Sequence, residues 1–167
     1  MYLIVTRSFP PELGGMQSLM WGLSCEMSKN FMIKVFADYQ DNHKDFDEQT
    51  SFSIERVGGI KFLRKIRKAQ LINEFLKANK VEGIIADHWK SLELIKTDKK
   101  KYCLIHGKEI NHPIGSSLNK RVIKVLNNVE KVWVSYKLPL LVFLFPVIIP
   151  MAIFGDITVI ILEIIGL

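Results

Sequence analysis

Apolar positions along this chain follow two alternating rhythms up to about residue 136 and a third, quite different one beyond it. Short, nearly continuous apolar runs at 2–6, 31–37, 52–57, 83–87, 102–105 and 131–135 read as buried strands. Between them, Met16, Leu19, Met20, Leu23 and Met27 recur at helical spacing and predict a helix over 16–29. Phe62, Leu63, Ile66, Ala69, Ile72, Phe75 and Leu76 predict a second helix, apolar on one side and basic on the other. A third long helix is expected over 116–128, capped by Ser116 or Ser117, and a short one around 91–95. The polar, acidic stretch 38–50 reads as a loop. Strands that alternate with helices in this way imply a mostly parallel α/β sheet covered on both faces, with ligands at the carboxyl ends of the strands.

The third rhythm is an almost unbroken apolar one. Of the 30 residues from 138 to 167, 22 are apolar, and 138–155 is an 18-residue stretch without charge, at the lower limit for a membrane-spanning helix. Lys131 and Lys137 just upstream would hold its start in the cytoplasm, while Pro146 and Pro150 would kink it and Asp156 and Glu163 interrupt its continuation. The expected division is therefore a globular domain over 1–136 and a hydrophobic tail over 137–167. The tail is either a membrane segment or the product of a reading-frame shift near codon 136. The second reading is favoured, because AT-rich codons read out of frame yield runs of Phe, Leu, Ile, Met and Val.

Charge sharpens the contrast. All 23 Lys and Arg lie at or before Lys137, against 15 of the 17 acids, so the body is basic and suited to anionic partners. The basic residues are scattered apart from Lys99-Lys100-Lys101 and the Arg64-Lys65…Arg67-Lys68 cluster, which read as a loop and a solvated helix face; no nucleic-acid-binding motif accompanies them. Cys25 and Cys103 form neither a disulfide framework nor a metal-ligand spacing and fit a reduced, cytoplasmic protein. The first apolar run, about five residues before Arg7, is too short for a signal peptide.

Three stretches carry candidate chemistry, each expected where a strand ends. After the first strand comes Phe9-Pro10-Pro11-Glu12-Leu13-Gly14-Gly15-Met16-Gln17, in which the glycine pair opens a helix. Glycines there let backbone N–H groups approach a phosphate at a helix N-terminus. The spacing is not that of the GxGxxG dinucleotide fingerprint. Asp87-His88-Trp89 ends the fourth strand; an aromatic beside polar groups is a common sugar platform, and Trp89 is equally a packing residue. His106-Gly107-Lys108-Glu109 ends the fifth. Arg7 follows the first strand and faces an anionic acceptor in this reading; His43 and His112 take no role.

The FPPELGG turn, the HGKEI strand end and the final KVWVS strand resemble the N-terminal domain of the family 4 glycosyltransferases, the retaining enzymes of the GT-B fold. The resemblance covers residues 2 to about 135. It implies a Rossmann-like domain forming the N-terminal half of a GT-B fold. It also implies transfer of a sugar from a nucleotide-sugar to a glycan or lipid-linked acceptor, with no metal and no cofactor beyond the donor substrate. By resemblance His106 is catalytic and contacts the transferred sugar, Gly14 and Gly15 face the donor phosphates, and Glu109 lines the acceptor side; Arg7 and His88 join as acceptor or sugar contacts from their places at the strand ends. The chain departs from the family with Lys108 in place of its Thr and Glu109 in place of its Asp. The second Rossmann-like domain, with its paired glutamates, is not found after 136, so a fragment inactive on its own is expected. The expected location is the cytoplasm or the inner face of the membrane, with contact through 138–155 and no nucleic acid. The alternatives are a non-catalytic membrane-associated binding module and another Rossmann-type enzyme sharing only the fold.

Overall fold

The computed structural model describes residues 1–105 and 112–134. Contacts divide the chain into two units, Met1–Ser135 and Tyr136–Leu167. The candidate membrane segment 138–155 lies outside the described residues, as do His106, Gly107 and Glu109. Among the described residues no helix is long and apolar enough to cross a membrane.

The first unit runs β1 (Tyr2–Val5), α1 (Gly15–Ser28), β2 (Ile33–Asp38), α2 (His43–Glu48), β3 (Ser53–Val57), α3 (Lys61–Ala78), β4 (Gly83–Ala86), α4 (Trp89–Leu92), β5 (Lys100–Ile105), α5 (Ser117–Leu126) and β6 (Lys131–Val134). The six strands form one sheet in the order β3-β2-β1-β4-β5-β6. Every pairing is parallel. This is the Rossmann-like α/β arrangement: β1 is central and the strand order reverses between β1 and β4.

Side chains alternate across the sheet as the pleat requires. Leu3 and Val5 join Phe36, Ile84, Ala86 and Trp89 in a core that Ile72 of α3 and Val122 and Val125 of α5 close. Ile4 points the other way, into a second core with Val35, Ala37, Phe9 and Met20 of α1. At the amino end of β4, a Cβ on Gly83 would stand 3.0 Å from the Tyr2 ring and 3.2 Å from the Tyr102 ring, so a side chain there would push the neighbouring strands' tyrosines aside.

Three local expectations change. The stretch 38–50 is not all loop: it contains α2, whose single apolar residue, Phe46, packs beneath the sheet edge against Phe9 and Trp21. One apolar residue in six gives no periodicity to read. The short helix starts earlier than expected, at Trp89, because the His88 side chain caps it by accepting from the Lys90 backbone N–H. The α5 cap is as expected: of the two serines Ser116 is the one used, its hydroxyl accepting from the Asn119 N–H at 3.1 Å.

The third change concerns the polarity of α3. Its buried residues are Lys68, Ala69 and Ile72. Phe62 and Leu63, which the spacing assigns to the core face, are 71% and 58% exposed. In the first two turns of α3 the cations Arg64, Lys65 and Lys68 are more buried than the apolar Phe62 and Leu63, a local inversion of the expected polarity. That inversion leads to the site.

Candidate functional site

The carboxyl ends of β1 and β4 meet at the point where strand order reverses, the place where open parallel sheets bind ligands. Asp87, just beyond β4, ties the two ends together. Its Oδ2 accepts from the Thr6 hydroxyl at 2.9 Å and from the Arg7 backbone N–H at 2.8 Å, and its Oδ1 accepts from the Ser91 hydroxyl at 2.9 Å. The carboxylate is almost fully buried, and these bonds fix the chain direction at Arg7 and the start of α4.

Against this frame lies a cleft of about 100 Å³ lined by Arg7, Asp38, Lys61, Arg64, Lys65, Lys68, Lys90 and Ser91 over a floor of Ala69, Ile72 and Leu94. Lys61, Arg64, Lys65 and Lys68 follow the i, i+3, i+4, i+7 spacing of one helix face. Lys68 reaches under the cleft to donate to the Thr6 carbonyl at 2.8 Å and to Asp38 Oδ1 at 2.6 Å. Arg64 pairs with the other oxygen of Asp38 at 3.0 Å. Burial pushes the Lys68 ammonium below its ordinary value, against the pull of Asp38. Lys65 and Arg121 share Glu93. Arg7 and Lys61 make no side-chain ion pair among the described residues, and Lys90 lies 5.3 Å over the Trp89 ring.

The hydrogen bonds from Arg121 and Lys65 outweigh desolvation and hold the Glu93 carboxyl down at about 2. Its folded value lies below its ordinary value of 4.5, so the cluster contributes fully above that pH. The contribution drains away as pH falls from 4.5 toward 2. Glu93→Gln is expected to flatten the pH dependence of the urea midpoint within that window. With Arg121 at the surface, the variant should lose only about 1 kcal/mol at neutral pH. An unaltered slope between the two pH values would show that another carboxylate carries the acid sensitivity.

Beside the cleft, and sharing Arg7, Asp38 and Arg64 with it, is an open trough of about 550 Å³ lined by Pro11, Glu12, Tyr39, Gln40, Asp41 and Asn42. Its amides, carboxylates and one aromatic ring offer both donors and acceptors, the inventory a polyol needs. The wall between cleft and trough is thus one arginine on the β1 loop, one carboxylate at the end of β2 and one arginine on α3.

The predicted site residues distribute as follows. Gly14 and Gly15 open α1, whose N-terminus has no side-chain cap. The Gly14 backbone is extended (φ 163°), a conformation any residue adopts, and a Cβ on Gly15 would meet nothing within 4 Å. Neither strain nor packing demands the glycine at 15, whereas a Cβ on Gly14 would run into the Gln17 side-chain amide. Glu12 stands near this turn, accepting from Gln17 at 3.1 Å and Gln40 at 2.7 Å. Arg7 lines both cleft and trough. His88 is buried, and its Nδ1 accepts the α4 capping bond at 2.9 Å. Trp89 is fully buried and packs in the core.

Lys68 and Asp38 were not singled out by sequence. The basic cluster of α3 read as a solvated face, and the structure buries Lys68 instead. One signal was available: Asp38 ends a strand on the ligand edge, and four cations share one helical face with the buried Ala69 and Ile72.

The fold therefore defines a Rossmann-like α/β domain with a cationic cleft at its topological switch point. No protein-family model and no curated protein sequence matches the chain. Solved structures that it resembles include the dTDP-glucose 4,6-dehydratase of Bacillus anthracis in complex with NAD, at 15% identity over 76% of this chain and 48% of that one, with a TM-score of 0.43. Another is the E. coli heptosyltransferase WaaC with ADP-2-deoxy-2-fluoro heptose, at 12% identity over 78% and 48%, with a TM-score of 0.35. The chain spans about half the length of each.

Proposed function

We propose that this domain is the acceptor-side half of a GT-B-type glycosyltransferase, similar to family 4, that moves a sugar from a nucleotide-sugar to a glycan or lipid-linked acceptor. The observation that carries the reading is the connection between β1 and α1. Nine residues, 6–14, separate the end of β1 at Val5 from the start of α1 at Gly15. A dinucleotide fold closes this connection with a tight glycine turn. Here it instead spreads across the ligand edge and supplies Arg7, Pro11 and Glu12 to a polar trough. A trough of mixed donors and acceptors beside an uncapped helix N-terminus suits a sugar acceptor next to donor phosphates.

In this reading Gly14 and Gly15 face the donor, Arg7 contacts the acceptor, and His88 orients α4 through its cap. His106 and Glu109 would complete the site from the end of β5. Transfer would rest on positioning and on stabilising the departing diphosphate by electrostatics, with no metal. Transfer would also need the groups of a second domain that binds the nucleotide.

Saturation-transfer NMR on the 167-residue chain tests this. Signals from hexose and inositol glycosides are expected, to be weakened by Tyr39→Ala in the trough, and none from NAD. Tight binding of NAD with no sugar signal would replace this proposal with that of a dinucleotide enzyme.

A further inference from the structure

We propose that the cleft between α3 and α4 is a phosphate subsite, so that the acceptor taken by this domain is a phosphate ester of a sugar or polyol. The inference rests on the sugar-acceptor reading above and names its substrate class.

Among the described residues six cations line the cleft, and Asp38 is the one carboxylate in its wall; Asp87 and Glu93 stand behind it. The local charge is positive even after all three acids are counted. Asp38 is already engaged by Lys68 and Arg64, and Glu93 by Lys65 and Arg121. Among the described residues Arg7, Lys61 and Lys90 have no carboxylate partner, and they stand on three separate elements around one mouth. Cations converging without a counter-ion repel one another, and an anion bound among them relieves that cost.

The inverted polarity of α3 is the second, independent observation. An amphipathic helix on a sheet turns its apolar stripe inward. Here Arg64, Lys65 and Lys68 of the first two turns are drawn inward, Lys61 stands at the cleft mouth, and the N-cap Ile60 with Phe62 and Leu63 is exposed by 75%, 71% and 58%. Such a local conflict with the hydrophobic pattern is the mark of a functional constraint. The remaining cations present both a guanidinium fork and ammonium point charges, the donor set that phosphate oxygens accept.

The neighbouring trough supplies the rest of the ligand. It shares Arg7 and Arg64 with the cleft, so one molecule can place its phosphate in the cleft and its hydroxyls in the trough. Two sources offer this chemistry, a soluble sugar phosphate and an anionic lipid headgroup, and the exposed Ile60, Phe62 and Leu63 beside Lys61 justify testing both.

The experiment is isothermal titration of the full chain at low ionic strength with inorganic phosphate, glucose and glucose 6-phosphate, and co-sedimentation with vesicles of phosphatidylcholine with or without phosphatidylinositol. Two double variants are compared: Arg7→Gln with Lys90→Gln in the cleft, and Lys77→Gln with Lys80→Gln at the far end of α3, which removes the same charge elsewhere. The expected result is that glucose 6-phosphate, or the phosphatidylinositol vesicle, binds at least tenfold tighter than its uncharged counterpart. The cleft pair should weaken that binding by about tenfold or more, and the distal pair little. Equal weakening by both pairs would reduce the effect to overall charge and overturn the subsite. Binding of sugars with no gain from phosphate would also overturn it while leaving the acceptor reading in place. Inorganic phosphate bound in the cleft as tightly as glucose 6-phosphate would keep the subsite and sink the acceptor reading.

Discussion

Arg56→Ala is expected to destabilise the domain by about 3 kcal/mol and lower its Tm by about 10 °C. Arg56 projects from β3 with its side chain 4% exposed and forks onto Asp47 of α2, with Nε at 3.0 Å and Nη2 at 2.7 Å from the two carboxylate oxygens. Nη2 also donates to the Pro10 carbonyl, and the guanidinium lies 5.5 Å over the Phe9 ring. One side chain thus joins an edge strand, a short helix and the loop that leads to Gly14 and Gly15. Removing it leaves the Asp47 carboxylate part-buried without its partner and the Pro10 carbonyl without its donor. Urea unfolding of Arg56→Ala, Asp47→Ala and the double variant decides the cause. The double variant should recover part of the loss, because it removes the stranded charge; a double variant that is as unstable as the sum of the singles would locate the loss in packing against Phe9. Cleavage by chymotrypsin after the exposed Leu13 should quicken in the single variant.

Trp89→Ala is expected to cost about 4 kcal/mol, a large fraction of the stability a domain of this size has. Trp89 is the largest of the fully buried side chains. It packs with Leu3, Val5, Ile84, Ala86 and Leu92, and the charged groups of Lys90 and Arg121 stand 5.3 and 5.8 Å from its ring. Truncation would leave a cavity under the cleft that the rigid sheet cannot close. Trp89→Phe should keep most of the packing and lose no more than about 1.5 kcal/mol. The measurement is chemical denaturation of both variants alongside sugar binding. A stable Trp89→Ala variant that has lost sugar binding would make this residue a sugar platform after all.

These two residues show what the sequence reveals and where it falls silent. All six strands and the long helices were legible, because buried parallel strands are continuous apolar runs and the helices between them keep a regular spacing. Trp89 as a core residue was one of two open readings; its own zero exposure settles its environment. Arg56 was invisible, since its value lies in Asp47 and Pro10, nine and 46 residues away. The same holds for Lys68, whose partners Thr6 and Asp38 are 62 and 30 residues distant. Periodicity reports which face of an element is apolar; it cannot report a cation drawn inward by a carboxylate on another element. Phe62 and Leu63 mislead for that reason, because the charges opposite them have stronger claims on the sheet side.

The strand order has a consequence for how the chain comes into being. β1 precedes the other five strands along the chain yet lies in the middle of the finished sheet, bonded to β2 at Tyr2↔Ile33 and to β4 at Tyr2↔Gly83. No adjacent pair is a hairpin, so every pairing waits for a crossover to be completed. At a synthesis rate of about 5–20 residues per second, roughly 80 residues separate β1 from its second neighbour by about 4–16 s. Through that interval Leu3, Ile4 and Val5, which end with no exposure at all, lie beside an open backbone edge on the nascent chain. Variants that weaken β4 or its seat at Gly83 would lengthen this exposure, and their cost would fall on cellular yield before it was visible in the melting of whatever protein survives.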